Sequence, residues 1–455
     1  MRRITKIICC VCVILFLLLL IACARNNGSD RQNEERKIEN TSGGIVREND
    51  TYVFSSDEYN KVLSEYRKNI SECIADYEED INKLKQTEQT DTCNISFENC
   101  EFVDIPQIDT LEVLEYKREE ISVDDAIGMI ENTINRLGLN DKVNIESELK
   151  DASAQLPNEP VVDEISGQAM TDDAGNIITD YPKVLDKKDR FDSGKGFFIN
   201  SDILHIQMGD CGVYSFSDGV INKNKKEPKG YCFFDIYPMD DEKLIKKGNF
   251  DELKDEKYNL LDGEISIKDA VEATKEFFKE GTPLSAAENV DIEVIDVSVY
   301  KFNDELYRYC FEIRRKYKNI PFVLGSTGHK RVNDILIDDM GKTATTISGS
   351  TVNAYLGFNE HQGFNSLFSD TRILSVYDAY LELKAKIGQN LNFNVKKVEL
   401  VYVPTEAYAN TDTTINIIRP KVIYPCWSFI GYYSEGELRA FIDVFTGDIY
   451  YYIQV

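Results

Sequence analysis

A six-residue pattern that occurs three times constrains this chain more than any other feature. Ile121-Ser122-Val123-Asp124-Asp125-Ala126, Ile265-Ser266-Ile267-Lys268-Asp269-Ala270 and Leu374-Ser375-Val376-Tyr377-Asp378-Ala379 share the form [IL]-S-[IV]-x-D-A. Its chemistry is that of a helix start: the Ser oxygen accepts from a first-turn amide, and Asp three positions on meets the positive end of the helix dipole. Helical apolar spacing follows, as in Ile127, Ile130, Ile134 and Leu137. One capped helix is common; three, two of them followed by similar strands, predict repeated modules. After the second start, residues 290–299 and 307–314 are rich in Val, Ile, Tyr and Phe. After the third, residues 395–403 and 424–433 keep that order, and 438–444 with 448–453 predict a closing hairpin across Phe445-Thr446-Gly447. The expected fold class is α+β, built from repeated modules of a helix packed on a small antiparallel sheet.

The N-terminus constrains location. Arg2, Arg3 and Lys6 precede an apolar run from Ile7 to Ile21, which ends at Leu20-Ile21-Ala22-Cys23. That ending resembles a bacterial lipobox. The resemblance implies a lipoprotein signal peptide over residues 1–22, removed before an acylated Cys23, and a mature chain held on the extracytoplasmic face of the cell membrane. A retained membrane span is the alternative, but the 16 residues from Ile7 to Ala22 fall short of the roughly 20 that a spanning helix needs. Residues 23–50 are polar, carry Gly and Asn, and read as a disordered tether.

Charge bears on partners. The chain carries −27 formal charges, and removing the three basic residues of the first 22 takes this to about −30. Such an acidic surface is repelled by nucleic acid and by anionic lipid headgroups, so neither is expected as a partner. Of eleven cysteines, those beyond Cys23 are Cys73, Cys93, Cys100, Cys211, Cys232, Cys310 and Cys426, with no CxxC or zinc spacing. Cys93 with Cys100, or Cys211 with Cys232, are candidate disulfides, and buried thiols acting as small hydrophobes are the competing reading.

Elsewhere, Ser55 or Ser56 predicts the cap of an N-terminal helix whose stripe runs Val62, Tyr66, Ile70, Cys73, Tyr77, Ile81, Leu84. Residues 94–104 read as a strand ended by Pro106. Asp172-Asp173-Ala174-Gly175-Asn176 predicts a hairpin turn, residues 197–220 further strands, and the charged stretch 241–262 a linker with some helix. The expected divisions are an N-terminal α+β region over 51–240, a middle module over 263–350 and a C-terminal module over 371–455.

Phe441-Ile442-Asp443-Val444-Phe445-Thr446-Gly447-Asp448-Ile449 resembles the closing hairpin of PepSY-like extracytoplasmic domains. More widely, residues 265–455 are similar to uncharacterised lipoproteins of clostridial-type Gram-positive bacteria. The residues that carry this are Arg314 to Pro321 (RRKYKNIP), the strand from Val398 to Pro404, and Pro425-Cys426-Trp427-Ser428-Phe429-Ile430-Gly431, which matches P-x-W-x-F-x-G. The resemblance implies PepSY-like middle and C-terminal modules, which are regarded as non-catalytic, with roles in restraining proteases or sensing at the envelope. Read from the residues themselves, Trp427, the sole Trp, belongs to an apolar core, and Gly447 supplies a positive φ for the turn.

Catalytic chemistry finds little support. Gly209-Asp210-Cys211-Gly212 resembles the nucleophile segment of cell-wall cysteine peptidases, yet a Cys nucleophile needs a His. Only His205, His329 and His361 exist, and His205 falls in the same expected strand as Cys211. H-E-x-x-H, a calcium loop, G-x-S-x-G and a P-loop are missing, so no cofactor or metal is expected. Paired carboxylates such as Asp338-Asp339 and Glu78-Glu79 abound without pointing to one site. The leading expectation is a non-catalytic module that binds another envelope protein. A solute- or wall-polymer-binding lipoprotein is the alternative, with 25 Tyr and 23 Phe as stacking surfaces.

Overall fold

The [IL]-S-[IV]-x-D-A pattern acts as its chemistry dictates wherever its serine is described. Ser266 Oγ accepts from the Asp269 amide at 3.0 Å and donates to the Asp269 carboxylate at 2.6 Å. Ser375 does the same with Asp378, at 3.2 and 2.8 Å. Each serine thus satisfies a first-turn N–H that the helix itself leaves open. Ser266→Ala and Ser375→Ala are each expected to lower stability by about 1 kcal/mol, read as a shifted urea midpoint with an unchanged slope.

The computed structural model describes residues 45–48, 51–62, 65–86, 93–116, 123–144, 150–151, 197–200, 204–208, 214–218, 242–281, 289–302, 305–323, 342–350, 352–357, 363–386, 391–405, 422–434 and 436–454. Strands β1 (Ile45–Glu48) and β2 (Thr51–Phe54) pair as a hairpin. Helix α1 (Ser56–Lys61), strand β3 (Lys68–Asn69), helices α2 (Ile70–Ala75) and α3 (Tyr77–Lys85), and strands β4 (Cys93–Ser96), β5 (Glu101–Phe102) and β6 (Leu111–Tyr116) follow. Next come helix α4 (Val123–Arg136) and strands β7 (Lys150–Asp151), β8 (Phe197–Asn200), β9 (Leu204–Met208) and β10 (Tyr214–Asp218). Strand β11 (Lys243–Asn249), helix α5 (Phe250–Leu253) and strands β12 (Lys257–Leu260) and β13 (Gly263–Ser266) lead to helix α6 (Ile267–Gly281). Strands β14 (Val290–Lys301), β15 (Tyr307–Tyr317), β16 (Ile320–Pro321), β17 (Lys342–Thr346) and β18 (Ala354–Gly357) come after it. The last stretch holds β19 (Phe364–Asp370), β20 (Arg372–Ile373), helix α7 (Val376–Lys386), β21 (Leu391–Thr405), β22 (Val422–Tyr433), β23 (Gly436–Asp443) and β24 (Ile449–Gln454). The protein is mixed α+β, mostly sheet with few helices.

Two large sheets organise these strands. A ten-stranded sheet runs β11-β14-β15-β17-β18-β10-β9-β8-β7, with β16 beside β15. An eight-stranded sheet runs β19-β6-β22-β21-β4, with β5 on β21, β23 on β22 and β24 on β23. The same succession, a helix and then four antiparallel strands each paired with the next, occurs three times: α4 with β7 to β10, α6 with β14, β15, β17 and β18, and α7 with β21 to β24. In the second and third, the register shifts between the first two strands at the sixth residue of the first, Ile295 and Lys396. Each sheet has its own core. Ile130 and Ile134 of α4, Val271 and Phe278 of α6, and Val297, Phe311 and Leu204 fill one. Tyr380 and Leu383 of α7, Trp427, Phe429 and Phe441 fill the other.

Four expectations are corrected. The N-terminal helix is three short helices, because Lys68–Asn69 leaves the helix to pair with Arg372–Ile373, and Val62 and Tyr66 lie exposed at 41% and 64%. The strand over 94–104 is broken into β4 and β5 by a turn with Asn99 at φ +55°. The stretch 241–262 is no linker: Lys243, Lys246 and Lys247 lie on β11, an edge strand paired with β14, the expected helix is α5, and its end enters the β12–β13 hairpin. Residues 51–240 divide between the sheets. β4 and β5 pair parallel with β21, and β6 pairs with β22 and β19, whereas α4 and β7 to β10 belong with the middle segment. Periodicity is local, and these pairings join residues some 250 to 300 positions apart, so no pattern in a window could reveal them.

Candidate functional site

Ionisable side chains converge most densely where the two sheets meet. Strand β15 passes from one core to the other: Tyr309, Phe311 and Ile313 pack in the ten-stranded sheet's core, and Tyr317 in the other. Arg314 and Arg315 occupy the crossing. Arg314 holds Glu399 of β21 in a fork, Nη1 to Oε2 at 3.0 Å and Nη2 to Oε1 at 2.5 Å, and its Nε donates to Glu293 of β14 at 2.6 Å. Lys397 Nζ lies 3.3 Å from the same Glu399. Burial presses the Arg314 guanidinium down, but Glu399 and Glu293 more than reverse this and its pKa is raised. Burial pushes the Glu399 carboxyl up, and Arg314 and Lys397 override it, so it is held below the usual range. Both shifts favour the charged pair. Arg315 is buried with its guanidinium 5.0 Å from the Phe322 ring centre and 5.8 Å from that of Phe364. Lys318 reaches Glu112 of β6 at 2.9 Å, and the Val323 amide bonds the Tyr402 carbonyl at 2.9 Å.

A second convergence surrounds the closing hairpin. Asp443, fully buried, accepts from the Tyr59 hydroxyl at 2.8 and 3.0 Å and from the Phe445 and Thr446 amides at 2.8 and 3.3 Å. Thr446 Oγ1 donates to Asp448 at 3.0 Å, and Lys386 of α7 donates to the Gly447 carbonyl at 2.6 Å. Gly447 has φ +73°, as its place in the turn requires. The arrangement welds α1 to a turn nearly 400 positions away. Burial pushes the Asp443 carboxyl up to about 7, opposed by the Phe445 amide and aided by Asp448. Between the ordinary value of 3.8 and about 7 the folded chain holds a proton that the unfolded chain releases. Stability is therefore expected to fall as pH rises from about 4 to about 7 and to level off above. Thermal unfolding at pH 5 and pH 8 checks this: the wild-type chain should lose more between them than Asp443→Asn does.

Among the described residues, no three or more His, Cys, Asp or Glu side chains group to hold a metal ion. Cys73, Cys100, Cys310 and Cys426 form no disulfide, so Cys100 is not bridged to Cys93. Burial raises all four thiols, Cys73 and Cys100 to about 12. They are protonated at neutral pH and poor nucleophiles. Glu78 and Glu79 lie exposed on α3, with Glu79 2.9 Å from Lys83. Cys23, Cys211, Cys232, His329, His361, Asp338 and Asp339, the turn at 172–176, the signal and residues 23–44 of the expected tether fall outside the described residues, as do the side chains of Cys93 and His205. The tether's expected end is corrected, because Ile45–Glu48 form β1 and pair with β2. Trp427 is buried, its Nε1 donating to the Leu374 carbonyl at 2.9 Å and its ring stacked on Tyr77. Tyr59, Tyr309, Tyr380, Tyr402 and Tyr424 are likewise fully buried, so these aromatics supply core and not a stacking surface.

Sequence reasoning missed the buried Arg314–Glu399 pair and, apart from it, the buried Asp443. The available signal was a charge inside an apolar strand: Glu399 within Val398 to Val403, and Asp443 between Ile442 and Val444. A charge there needs a buried partner.

No family model matches the chain, and no curated protein matches it. Among solved structures it is similar to an uncharacterized protein from Eubacterium rectale at 12% identity and a TM-score of 0.42, with 82% of this chain and 98% of that chain covered. At that TM-score the likeness carries no argument about fold or function. No helix among the described residues is long and apolar enough to cross a membrane.

Proposed function

We propose that this chain is an extracytoplasmic lipoprotein, anchored at Cys23, whose PepSY-like modules bind another protein at the cell envelope and perform no catalysis. The observation that carries this reading is how the ionisable groups are used. Both dense convergences, at Arg314 and at Asp443, are closed by the chain's own side chains and amides, which ties the modules together and turns neither cluster toward a substrate. The threefold succession of helix and four-stranded meander supports the modular part, and Leu20-Ile21-Ala22-Cys23 supports the anchor. The acidic balance favours a protein partner over nucleic acid.

Metabolic labelling with an alkyne fatty acid tests the anchor. Label on the wild-type chain, lost in Cys23→Ser together with membrane retention, is the expected result; label that survives the substitution overturns it. In-cell crosslinking of the two forms tests the partner. One envelope protein recovered near stoichiometrically with the anchored chain and lost with the Cys23→Ser form is expected, and a background-only profile from both refutes the binding role.

A further inference from the structure

Sheet edges expose unpaired backbone groups, and proteins blunt them with charge, brevity, bulges or cover. Other edges among the described residues carry such devices. Strand β11 presents exposed Lys243, Lys246 and Lys247. The β4–β5 edge is two short strands separated by a turn. Strand β19 shifts register between Ser366 and Phe368. Strand β24 carries none of these. It is six residues long, Ile449-Tyr450-Tyr451-Tyr452-Ile453-Gln454, without charge, proline or a register shift, and among the described residues it pairs with β23 alone.

The chain itself shows how such an edge is closed. β24 is the fourth strand of its meander, and the fourth strands of the other two, β10 and β18, pair antiparallel with each other from Tyr214↔Gly357 to Ser217↔Ala354. That pairing fuses two meanders into one ten-stranded sheet. The third meander has no such counterpart within the described residues. We infer that β24 pairs antiparallel with β24 of a second copy of this chain, joining two eight-stranded sheets across a twofold axis. Charge permits this edge and penalises others. Two copies at −27 each repel over most of their surface, whereas residues 449–455 include no Asp, Glu, Lys, Arg or His. An antiparallel self-pair about an axis normal to the sheet places one residue of the strand opposite itself, and in the two registers of greatest overlap this is Tyr451 or Tyr452.

Sedimentation of the full chain in detergent, from low micromolar to near-millimolar protein, tests the pairing. A twofold rise in protein mass is expected, with β24 amides exchanging about tenfold more slowly at the high end. Tyr452→Glu should abolish both effects: position 452 pairs in register with Arg439 within its own sheet, but across the axis the new charge meets its like. A monomer throughout the range overturns the inference. So does a dimer whose β24 amides exchange at the monomer's rate, a readout on the unsubstituted chain that holds even if Tyr452→Glu misfolds.

Discussion

Alanine at Gly431 is expected to lower stability by about 3 kcal/mol or more and to disrupt the centre of the eight-stranded sheet. A Cβ there would lie 2.1 Å from the Asn394 carbonyl oxygen and 2.7 Å from the Val395 Cα. Both are backbone atoms of the facing strand, so no side chain can swing aside. Gly431 pairs with Val395 beside the register shift at Lys396, and the bulged strand presses onto β22 at that point. Relief requires β21 to separate from β22 there, in a sheet packed on both sides of Trp427. Guanidinium unfolding followed by Trp427 fluorescence reads the effect directly, since Trp427 is the sole tryptophan and lies on β22. Gly128→Ala is the matched comparison: it sits within α4 with open space around the new methyl, and is expected to be neutral or to stabilise by up to about 1 kcal/mol. Equal losses at both sites would refute the steric argument.

Arg314→Ala is expected to cost about 3 to 5 kcal/mol, because it strands Glu399 inside the junction. The Glu399 side chain is only 4% exposed, and Lys397 at 3.3 Å replaces part of the lost charge but not the fork. The double replacement Arg314→Met with Glu399→Leu is expected to recover most of that loss, since apolar groups of similar volume carry no desolvation cost. Urea midpoints of the two single variants and the double variant decide the matter. A double variant as unstable as the sum of the singles would show no coupling between the two side chains and refute the stranded-charge argument.

Local chemistry made much of the architecture legible. Helix starts at Ser266 and Ser375, the paired strands after each, the Phe445-Thr446-Gly447 turn and buried Trp427 all follow from caps, propensities and turn residues acting within a few positions. The P-x-W-x-F-x-G run could be read as core, but the reason for its glycine could not, because the atoms that exclude a methyl belong to Asn394 and Val395. The joining of residues 45–116 to the last ninety residues was equally invisible: Leu111, Val113 and Leu114 announce a strand without naming its partner. Arg314 and Arg315 look like ordinary surface charge in a list of residues. Only the passage of β15 between two cores turns them inward.

Tyr116 stands opposite Phe364 in the β6–β19 pair, so the chain leaves the eight-stranded sheet and re-enters it at one place. During synthesis, β6 waits for residues 117–363 to be made before β19 exists, about 10 to 50 s at ordinary elongation rates. For that interval Leu111, Val113 and Leu114, which end with no exposed surface, have none of their final strand neighbours. The middle segment, whose strands all lie between its own ends, completes first and returns its two ends side by side, replacing a long floppy closure with a folded one. A slow elongation step or a truncation before residue 364 would therefore leave β6 as the aggregation-prone part of the nascent chain, however stable the finished protein is.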